Sequence, residues 1–397
     1  MNDIKSNIQS LSKEYFNEIV SIRHHLHQHP ELSEEEYLTA EFICEMLDEY
    51  RIPYTKGVAK TGVVGLITGK NSSGKNIALR ADMDALPIIE ENDVEYKSSV
   101  KGKMHACGHD VHMACLLGAG KILNELKDHF EGSIKLIFQP SEETFPGGAI
   151  RMIREGVLKN PSTISVIGQH VINTVDVGKI GLRAGAYMAS TDEVYLTVKG
   201  IGGHAATPEQ LVDPVLIASY IVVALQQIVS RNANPVIPTV LSFGKISGEG
   251  RTNIIPNEVS LAGTIRTYDE AWRKTIHEKI RHMATTLALS MGGSCDVKIA
   301  EGYPSLNNDE KLTADVRTWA KEYLGENNVI DIEARMTAED FAYYAKEVPS
   351  CFYRLGIANK RKGFVSNLHT PTFDVDESCL IPGMGLMAWL AVNQLAT

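Results

Sequence analysis

The sequence lacks an excess of basic charge. Its 397 residues include 39 lysines and arginines against 49 aspartates and glutamates, a formal net charge of −10 at pH 7. No basic run of five or more residues interrupts that balance. Such a chain repels a phosphate backbone on average, so we expect no nucleic-acid partner.

The sequence also lacks a long apolar run and a regular cysteine pattern. The longest apolar stretch, residues 215–225, is far shorter than a membrane span, and no apolar signal region follows Met1. The six cysteines follow no disulfide-framework spacing, which predicts free thiols in a reducing compartment. We therefore expect a cytoplasmic protein without a membrane partner.

Hydrophobic periodicity predicts an α/β protein with an insertion. Apolar residues at steps of three and four between Ile8 and Leu26 predict an opening amphipathic helix. Short apolar runs then alternate with helical segments as far as Gly168, which is typical of a doubly wound, mostly parallel sheet. From Thr191 to Ala300 the order becomes βαββαβ, that of a ferredoxin-like α+β domain. We predict a catalytic α/β domain over residues 1–186 and 305–397, and an inserted domain over residues 187–304.

Side chains that can bind a metal ion collect between Met104 and His112. These nine residues include three histidines, Cys107 and Asp110, just before a predicted helix. Imidazole, thiolate and carboxylate groups are common ligands of divalent transition metals. The alternative is a polar helix start that Asp110 caps.

Other polar clusters follow predicted strands. Residues 80–87, 139–143 and 169–170 each come directly after a short apolar run, and open α/β sheets place their ligand crevice at the carboxyl ends of the strands. We therefore predict one site. In it, one carboxylate of the Glu142–Glu143 pair can bind metal while the other takes a proton from water. The alternatives are an exposed acidic turn for this pair and a packed core position for His170 and His369.

Five motifs in a fixed order carry a family resemblance. They are RADMDALP (80–87), MHACGHD (104–110), FQPSEE (138–143), GGHAA (202–206) and EDF (339–341). In this order they resemble the dinuclear metal-dependent amidohydrolases, which include aminoacylases, hippurate hydrolases and auxin-conjugate hydrolases. The resemblance extends from Arg23 to Pro371, nearly the whole chain.

The resemblance implies a centre of two divalent metal ions per chain, Mn²⁺ or Zn²⁺, with Co²⁺ and Ni²⁺ as alternatives. The implied ligands are Cys107, which would bridge the ions, with His109, Glu143, His170 and His369. Glu142 would be the general base, and Asp84 would orient the ligands from behind. Two ions roughly 3.5 to 4 Å apart can share one hydroxide and polarise an amide carbonyl.

The resemblance also implies a homodimer that forms through the inserted domain. His204 would stabilise the oxyanion in the partner's active site, and Asn253 and Arg266 would hold the carboxylate of the product amino acid. The implied reaction hydrolyses the amide bond of an N-acetyl, N-benzoyl or N-arylacetyl amino acid, a small-molecule substrate. It yields a carboxylic acid and a free amino acid.

The sequence departs from the family pattern near the predicted acyl pocket. Ile201 stands where a basic residue is common, Glu209 where a histidine is common, and residues 144–146 where glycines are common. The acyl group and the amino acid therefore stay open. A dipeptidase, a non-catalytic metal-binding module and a thiol hydrolase that uses Cys107 with His109 are the other functions considered.

Overall fold

The computed structural model describes residues 2–71 and 74–397, which divide into two compact units. The first unit comprises the described residues of Met1–Gly185 together with Asn307–Glu333 and Asp340–Thr397. The second comprises Ala186–Leu306 and Ala334–Glu339. The catalytic and dimerisation roles that we predict for the two parts of the chain stay predictions.

The α-helices are, in chain order, α1 (Asn2–Glu14), α2 (Phe16–Gln28), α3 (Tyr37–Glu49), α4 (His109–Glu125), α5 (Gly148–Arg154), α6 (Pro214–Gln227), α7 (Glu270–Ser290), α8 (Glu310–Leu324), α9 (Ala342–Glu347) and α10 (Leu380–Ala396). The strands are β1 (Tyr54–Val58), β2 (Gly62–Thr68), β3 (Asn76–Asp82), β4 (Ser133–Gln139), β5 (Thr163–Asp176), β6 (Ile180–Leu182), β7 (Gly185–Met188), β8 (Asp192–Lys199), β9 (Gly203–His204), β10 (Thr239–Ser247), β11 (Ile254–Ile255), β12 (Glu258–Thr267), β13 (Ser294–Glu301), β14 (Leu306–Asn308), β15 (Val329–Asp331) and β16 (Ser350–Ala358).

The first unit is built on a mixed, mostly parallel sheet of order β1-β2-β4-β3-β5-β16-β6-β15. Its central neighbours β4, β3, β5 and β16 all run parallel. Strands β3 and β4 are buried along their whole length, as expected of parallel strands that are covered on both faces. The predicted α/β sheet is confirmed, and the carboxyl ends of its central strands meet at one edge.

Two helical features of the first unit differ from the sequence prediction. The opening segment forms two helices, α1 and α2, with Tyr15 between them. Helix α10 has no counterpart in the sequence prediction. This helix is apolar around most of its circumference and is buried at Leu380 and from Gly383 to Asn393, so it lacks the 3.6-residue alternation that marks an amphipathic helix.

The second unit has the predicted βαββαβ order. Strands β8, β10, β12 and β13 form an antiparallel sheet of order β10-β12-β8-β13, as in a ferredoxin-like fold. Along β8 buried and more exposed side chains alternate, because helices α6 and α7 pack on one face of the sheet. The predicted ferredoxin-like insertion is confirmed.

Within residues 2–71 and 74–397, two helical stretches are long and apolar enough to cross a membrane by length and composition, Glu377–Ala396 and Pro214–Asn232. In the first, 72% of the apolar window is buried inside the protein, as in the core helix of a globular unit. In the second, only 33% is buried. This low value reflects apolar side chains of α6 that stand on the surface of the second unit.

Candidate metal centre

The five predicted ligands lie at the carboxyl edge of the first unit's sheet. Glu143 follows β4, His170 lies within β5, and Cys107 and His109 stand at the start of α4. The fifth, His369, comes from the loop between β16 and α10. The parallel direction of β4, β3 and β5 brings these distant parts of the chain to one place.

The Cys107 thiol lies at the centre of this cluster. Its Sγ atom is 3.5 Å from Nε2 of His170 and 3.2 Å from Nε2 of His369. His369 Nε2 is also 3.3 Å from Oε1 of Glu143. Two groups of donor atoms, one with His109 and His170 and one with Glu143 and His369, each lie within 4.8 Å of one another and share Cys107. A bridging thiolate requires this arrangement.

A glycine lets Cys107 and His109 turn into the cluster. Gly108 is the N-cap residue of α4 and has φ 82°, a backbone conformation that residues other than glycine rarely adopt. A Cβ atom at this position would lie 2.5 Å from Cγ2 of Val171. The Cys-Gly-His spacing is therefore fixed by backbone conformation and by contact with β5.

The histidine rings are oriented for metal binding. His109 donates from Nδ1 to the carbonyl oxygen of Asp84 at 2.7 Å, and His170 donates from Nδ1 to that of Val171 at 2.7 Å. Each ring is therefore oriented so that Nε2, rather than Nδ1, is the nitrogen available to a metal ion. The Nε2 of His109 is buried, and no residue within 2–71 or 74–397 hydrogen-bonds to it. A buried nitrogen without a partner is costly, and a metal cation satisfies it, so the donor set fits a metal ion.

The charges of the cluster oppose a nucleophilic role for Cys107. Burial and the neighbouring Glu143 carboxylate raise the pKa of the Cys107 thiol. Hydrogen bonds to Cys107 and Glu143 raise the pKa of His369 to about 10. Without a metal, Cys107 and His369 therefore keep their protons, and metal binding must release them. This behaviour is the opposite of the lowered thiol pKa that a thiol hydrolase needs.

Asp84 holds the acidic doublet, Glu142 and Glu143, in place. Its Oδ1 accepts a hydrogen bond from the backbone amide of Glu142, and its Oδ2 accepts one from that of Glu143, both at 2.9 Å. Ser33 adds a hydroxyl bond of 2.6 Å to Oδ2. The buried Glu142 also accepts from the amide of Asp340 at 3.4 Å. The carboxylate oxygens of Glu142 and Glu143 lie within 4.8 Å of each other and of His109, and of the two only Glu143 also lies in the group of Cys107 and His369.

The alternative role of Asp110 as a helix cap is wrong. The N-cap residue Gly108 makes no side-chain bond, and Asp110 lies inside the first turn of α4. Its Oδ2 atom instead accepts from Nε of Arg23 at 2.7 Å and lies 2.9 Å from Nδ1 of His27. All three side chains are fully buried, so the carboxylate joins α4 to α2.

Arg80 is a buried arginine at the sheet edge, and the sequence predicts no role for it beyond a place in the polar cluster at residues 80–87. Arg80 bonds through Nη1 to Asp82 at 2.6 Å, through Nη2 to Asp340 at 2.9 Å, and through Nε to Gln139 at 2.9 Å. The available signal was an arginine and an aspartate at the end of a buried apolar strand, where charge is rare unless it is paired.

The three predicted residues of the inserted domain do not all lie together. His204 pairs with Ile254, and the amide of Ala205 donates to the carbonyl oxygen of Asn253 at 3.0 Å, so His204 and Asn253 are neighbours. They lie beyond the Glu258 end of β12, whereas Arg266 lies eight residues further along that strand. At the usual rise of a strand this separation is about 26 Å.

The His204 ring is held as a hydrogen-bond donor. Its Nδ1 atom accepts a bond of 3.1 Å from the backbone amide of Ala206. Because an amide can only donate, Nδ1 carries no proton, and the neutral ring has its proton on Nε2. An exposed N–H donor of this kind can bind an oxyanion.

Comparison with known proteins identifies relatives along the whole chain. Residues 78–393 match the profile of the family described as Peptidase family M20/M25/M40. N-acetyl-L-cysteine deacetylase of Bacillus subtilis (strain 168) is 40% identical over 375 residues, which are 94% of this chain and 86% of that protein. IAA-amino acid hydrolase ILR1-like 5 of Arabidopsis thaliana is 37% identical over 402 residues, which cover 100% of this chain and 91% of that protein.

A solved structure has the same fold. The YXEP protein of Bacillus subtilis, described as a dinuclear metal binding peptidase from the M20 family, has a TM-score of 0.83 and 32% sequence identity. The match covers 97% of this chain and 99% of that chain. Both units described above are therefore included in the likeness.

Proposed function

Because the chain belongs to peptidase family M20/M25/M40 and is a hydrolase of amide bonds, we propose that it cleaves the amide bond of N-acyl amino acids. The products are a free amino acid and the acid of an acetyl, benzoyl or arylacetyl group. The observation that carries the proposal is the cluster in which Cys107 joins two groups of metal donors, beside a buried Glu142. The names of the deacetylase and IAA-amino acid hydrolase relatives support this substrate class.

In this proposal two divalent ions are held by Cys107, His109, Glu143, His170 and His369. The mixture of thiolate, imidazole and carboxylate suits Mn²⁺ or Zn²⁺, with Co²⁺ and Ni²⁺ as alternatives. When bound, the ions lower the pKa of water and polarise the amide carbonyl.

Glu142 is the proposed general base. Its carboxylate takes a proton from the attacking water and delivers it to the nitrogen of the leaving amine, which then departs as a neutral group. The amide of Asp340 and the hold of Asp84 on the Glu142 backbone keep this carboxylate in position. Glu143 serves as a ligand instead because it belongs to the group of Cys107 and His369.

We further propose a homodimer that forms through the second unit. Helix α6 exposes Leu216, Tyr220 and Val223 at 50%, 55% and 71% of their surface. These residues follow the four- and three-residue steps of one helix face. Strand β10 ends the sheet beside them and exposes Ile246. An apolar helix face next to an open strand edge suits a twofold contact with a second copy.

The separation within the second unit supports a site shared by two chains. Arg266 lies about 26 Å along β12 from Glu258, and His204 and Asn253 lie beyond that end of the strand, so one substrate carboxylate does not reach both Asn253 and Arg266 in the same chain. Two chains can supply them to one site. We therefore propose that His204 acts in the partner's site.

We also propose a cytoplasmic location and no nucleic-acid partner. The cysteines of the chain are free and buried, which supports a reducing compartment. The net charge of −10 argues against binding to a phosphate backbone.

A substrate panel tests the proposed reaction. Acetyl, benzoyl and indoleacetyl derivatives of one set of amino acids are incubated with the metal-loaded enzyme, and the released acid is measured by chromatography. Dipeptides form a second arm, because the YXEP protein is described as a peptidase. The Glu142→Gln protein is the matched control for contaminating hydrolases. Cleavage of dipeptides alone would overturn the N-acyl proposal.

A mixing experiment tests the shared site. Glu142→Gln and His204→Ala chains are each expected to be inactive, and they are unfolded and refolded together. If His204 acts across the dimer, mixed dimers contain one intact site, and about a quarter of wild-type activity returns. If mixed dimers form, as tagged chains would demonstrate, and no activity returns, the assignment across the dimer is wrong.

A further inference from the structure

His112 lies one turn after His109 on α4, and both of its ring nitrogens are engaged. Nδ1 lies 2.5 Å from Oδ1 of Asp82, and Nε2 accepts a hydrogen bond of 2.9 Å from the backbone amide of Val171. Because that amide can only donate, Nε2 carries no proton, and Nδ1 donates to Asp82. His112 is close enough to Asp82 and His109 to form a metal-capable group, but its ring has no lone pair left for a cation.

The amide of Val171 needs this partner because the neighbouring strand has ended. The pairing of β3 with β5 runs only as far as Arg80 opposite Gly168. Beyond that point β3 provides no carbonyl oxygen for the β5 backbone. His112 is 1% exposed and supplies the missing acceptor from α4. A buried amide without an acceptor would be costly, so this contact fixes the end of the strand.

The same residue of β5 orients a predicted metal ligand. The carbonyl oxygen of Val171 accepts the Nδ1 proton of His170 at 2.7 Å. This bond leaves Nε2 of His170 as the nitrogen that faces Cys107, at 3.5 Å from Sγ. The position of residue 171 therefore decides where the ligating nitrogen of His170 points.

The tautomer of His112 is itself held by two further side chains. Asp82 accepts from His112 on Oδ1 and from Nη1 of Arg80, at 2.6 Å, on Oδ2. The buried guanidinium of Arg80 forms an ion pair with Asp82 and favours the ionised carboxylate. An ionised Asp82 requires a donor from His112, which fixes the proton on Nδ1.

We propose that His112 is a positioning residue of the metal centre, which sets the ring of His170 through the backbone of Val171 and is kept in one tautomer by Asp82. The inference rests on the proposed function only in that the site binds a metal ion. It adds a contact, outside the predicted ligands, on which metal affinity depends. Contacts of this kind typically change affinity 10- to 100-fold when they are lost.

Two substitutions separate the two contacts of His112. In His112→Asn the amide nitrogen can replace Nδ1 and still donate to Asp82, but nothing accepts from Val171. In His112→Gln the amide oxygen can reach the place of Nε2 and accept from Val171, while the donor to Asp82 is displaced. The affinity of the metal-free proteins for Zn²⁺ alone is measured by competition with a chromophoric chelator. Absorption of the Co²⁺-loaded proteins reports the ligand geometry.

We expect His112→Asn to lower Zn²⁺ affinity about 10- to 100-fold and to change the Co²⁺ spectrum. His112→Gln should retain most of the affinity. The reverse order would show that the contact with Asp82 matters rather than the one with Val171, and would overturn the proposed path.

A buried residue at the far end of β3 provides the structural control. Asn76 donates to Ser133 at 2.9 Å and accepts from Thr163 at 2.8 Å, away from the metal cluster. Asn76→Leu should lower the Tm and leave Zn²⁺ affinity unchanged. If His112→Asn does the same, its role is merely structural and the inference is wrong. A wild-type protein that binds no Zn²⁺ overturns the inference and the proposed metal centre together. A metal-binding protein that cleaves no N-acyl amino acid overturns only the proposed substrate.

Discussion

Replacing Asp84 with asparagine removes one of the two oxygens that hold the acidic doublet. In the wild-type protein each oxygen accepts one backbone amide, from Glu142 and from Glu143. An asparagine side chain offers one oxygen and one NH₂ group, so one of the two amides meets a donor in place of an acceptor. We expect the doublet to shift and the metal-free protein to lose stability.

The expected losses follow from the number of unpaired amides. Asp84→Asn leaves one buried N–H without an acceptor and should lower the free energy of unfolding by about 2 kcal/mol. Asp84→Ala leaves two and should cost about 4 kcal/mol. Ser33→Ala is the matched control, because it removes only the hydroxyl bond to Oδ2 and should cost about 1 kcal/mol.

Urea unfolding of the metal-free variants, followed by circular dichroism, measures these differences. Zn²⁺ affinity should fall in the same order, because a displaced doublet moves the Glu143 carboxylate away from Cys107 and His369, with which it forms a group of metal donors. An Asp84→Asn protein as stable as the wild type would refute the reasoning. Equal losses in Asp84→Asn and Asp84→Ala would refute the assignment of one amide to each oxygen.

Metal removal and single substitutions test the remaining assignments. Exhaustive chelation should abolish hydrolysis, and Mn²⁺, Co²⁺ or Zn²⁺ should restore it at about two ions per chain; full activity without metal would contradict the proposal. Glu142→Gln should keep the metal and lower turnover by about two to four orders of magnitude, whereas Glu143→Gln should also weaken metal binding; interchanged effects would reverse the two roles. In the second unit, burial opposes ionisation of Asp192, but bonds from Arg273 and His277 outweigh it and lower its pKa to about 2. This depressed pKa stabilises the fold above pH 3.8, and the contribution is lost as the pH falls to about 2. The Tm difference between the wild type and Asp192→Asn should therefore shrink as the pH falls from 3.8 to about 2. A constant difference would contradict the stabilising role of the Asp192 carboxylate.

The sequence predicts those parts of the fold that have a clear hydrophobic period. The buried strands β3 and β4 and the alternating strand β8 are of this kind. Helix α10 escapes prediction because it is apolar on most sides. Strand β6 is not predicted either, because it has only three residues and is stabilised by pairing with β16 and β15. Such pairing between distant segments leaves no local pattern.

The candidate site divides in the same way. Glu143 and His170 could be found because they follow short apolar runs that end at one edge of the sheet. Cys107 could be found because it lies among other metal-binding side chains just before a predicted helix. The contacts that orient the site could not be found from the sequence. Asp84 accepts a hydrogen bond from the amide of Glu142, 58 residues away, and His112 accepts one from the amide of Val171, 59 residues away. The separation of Arg266 from His204 and Asn253 likewise depends on the extended length of β12 rather than on any motif.

The position of β16 has a consequence for biosynthesis. This strand lies between β5 and β6 in the sheet, yet the second unit separates it from both of them in the sequence. On the ribosome, β5 and β6 emerge first. Their edges that pair with β16 stay unpaired while the nearly contiguous second unit is translated and can fold. A nascent chain at that stage offers a metal ion Cys107, His109, Glu143 and His170 but not His369. The same late segment of the chain therefore completes the sheet and supplies the last predicted metal ligand. A ribosome that stalls before this segment leaves an unpaired, aggregation-prone sheet edge.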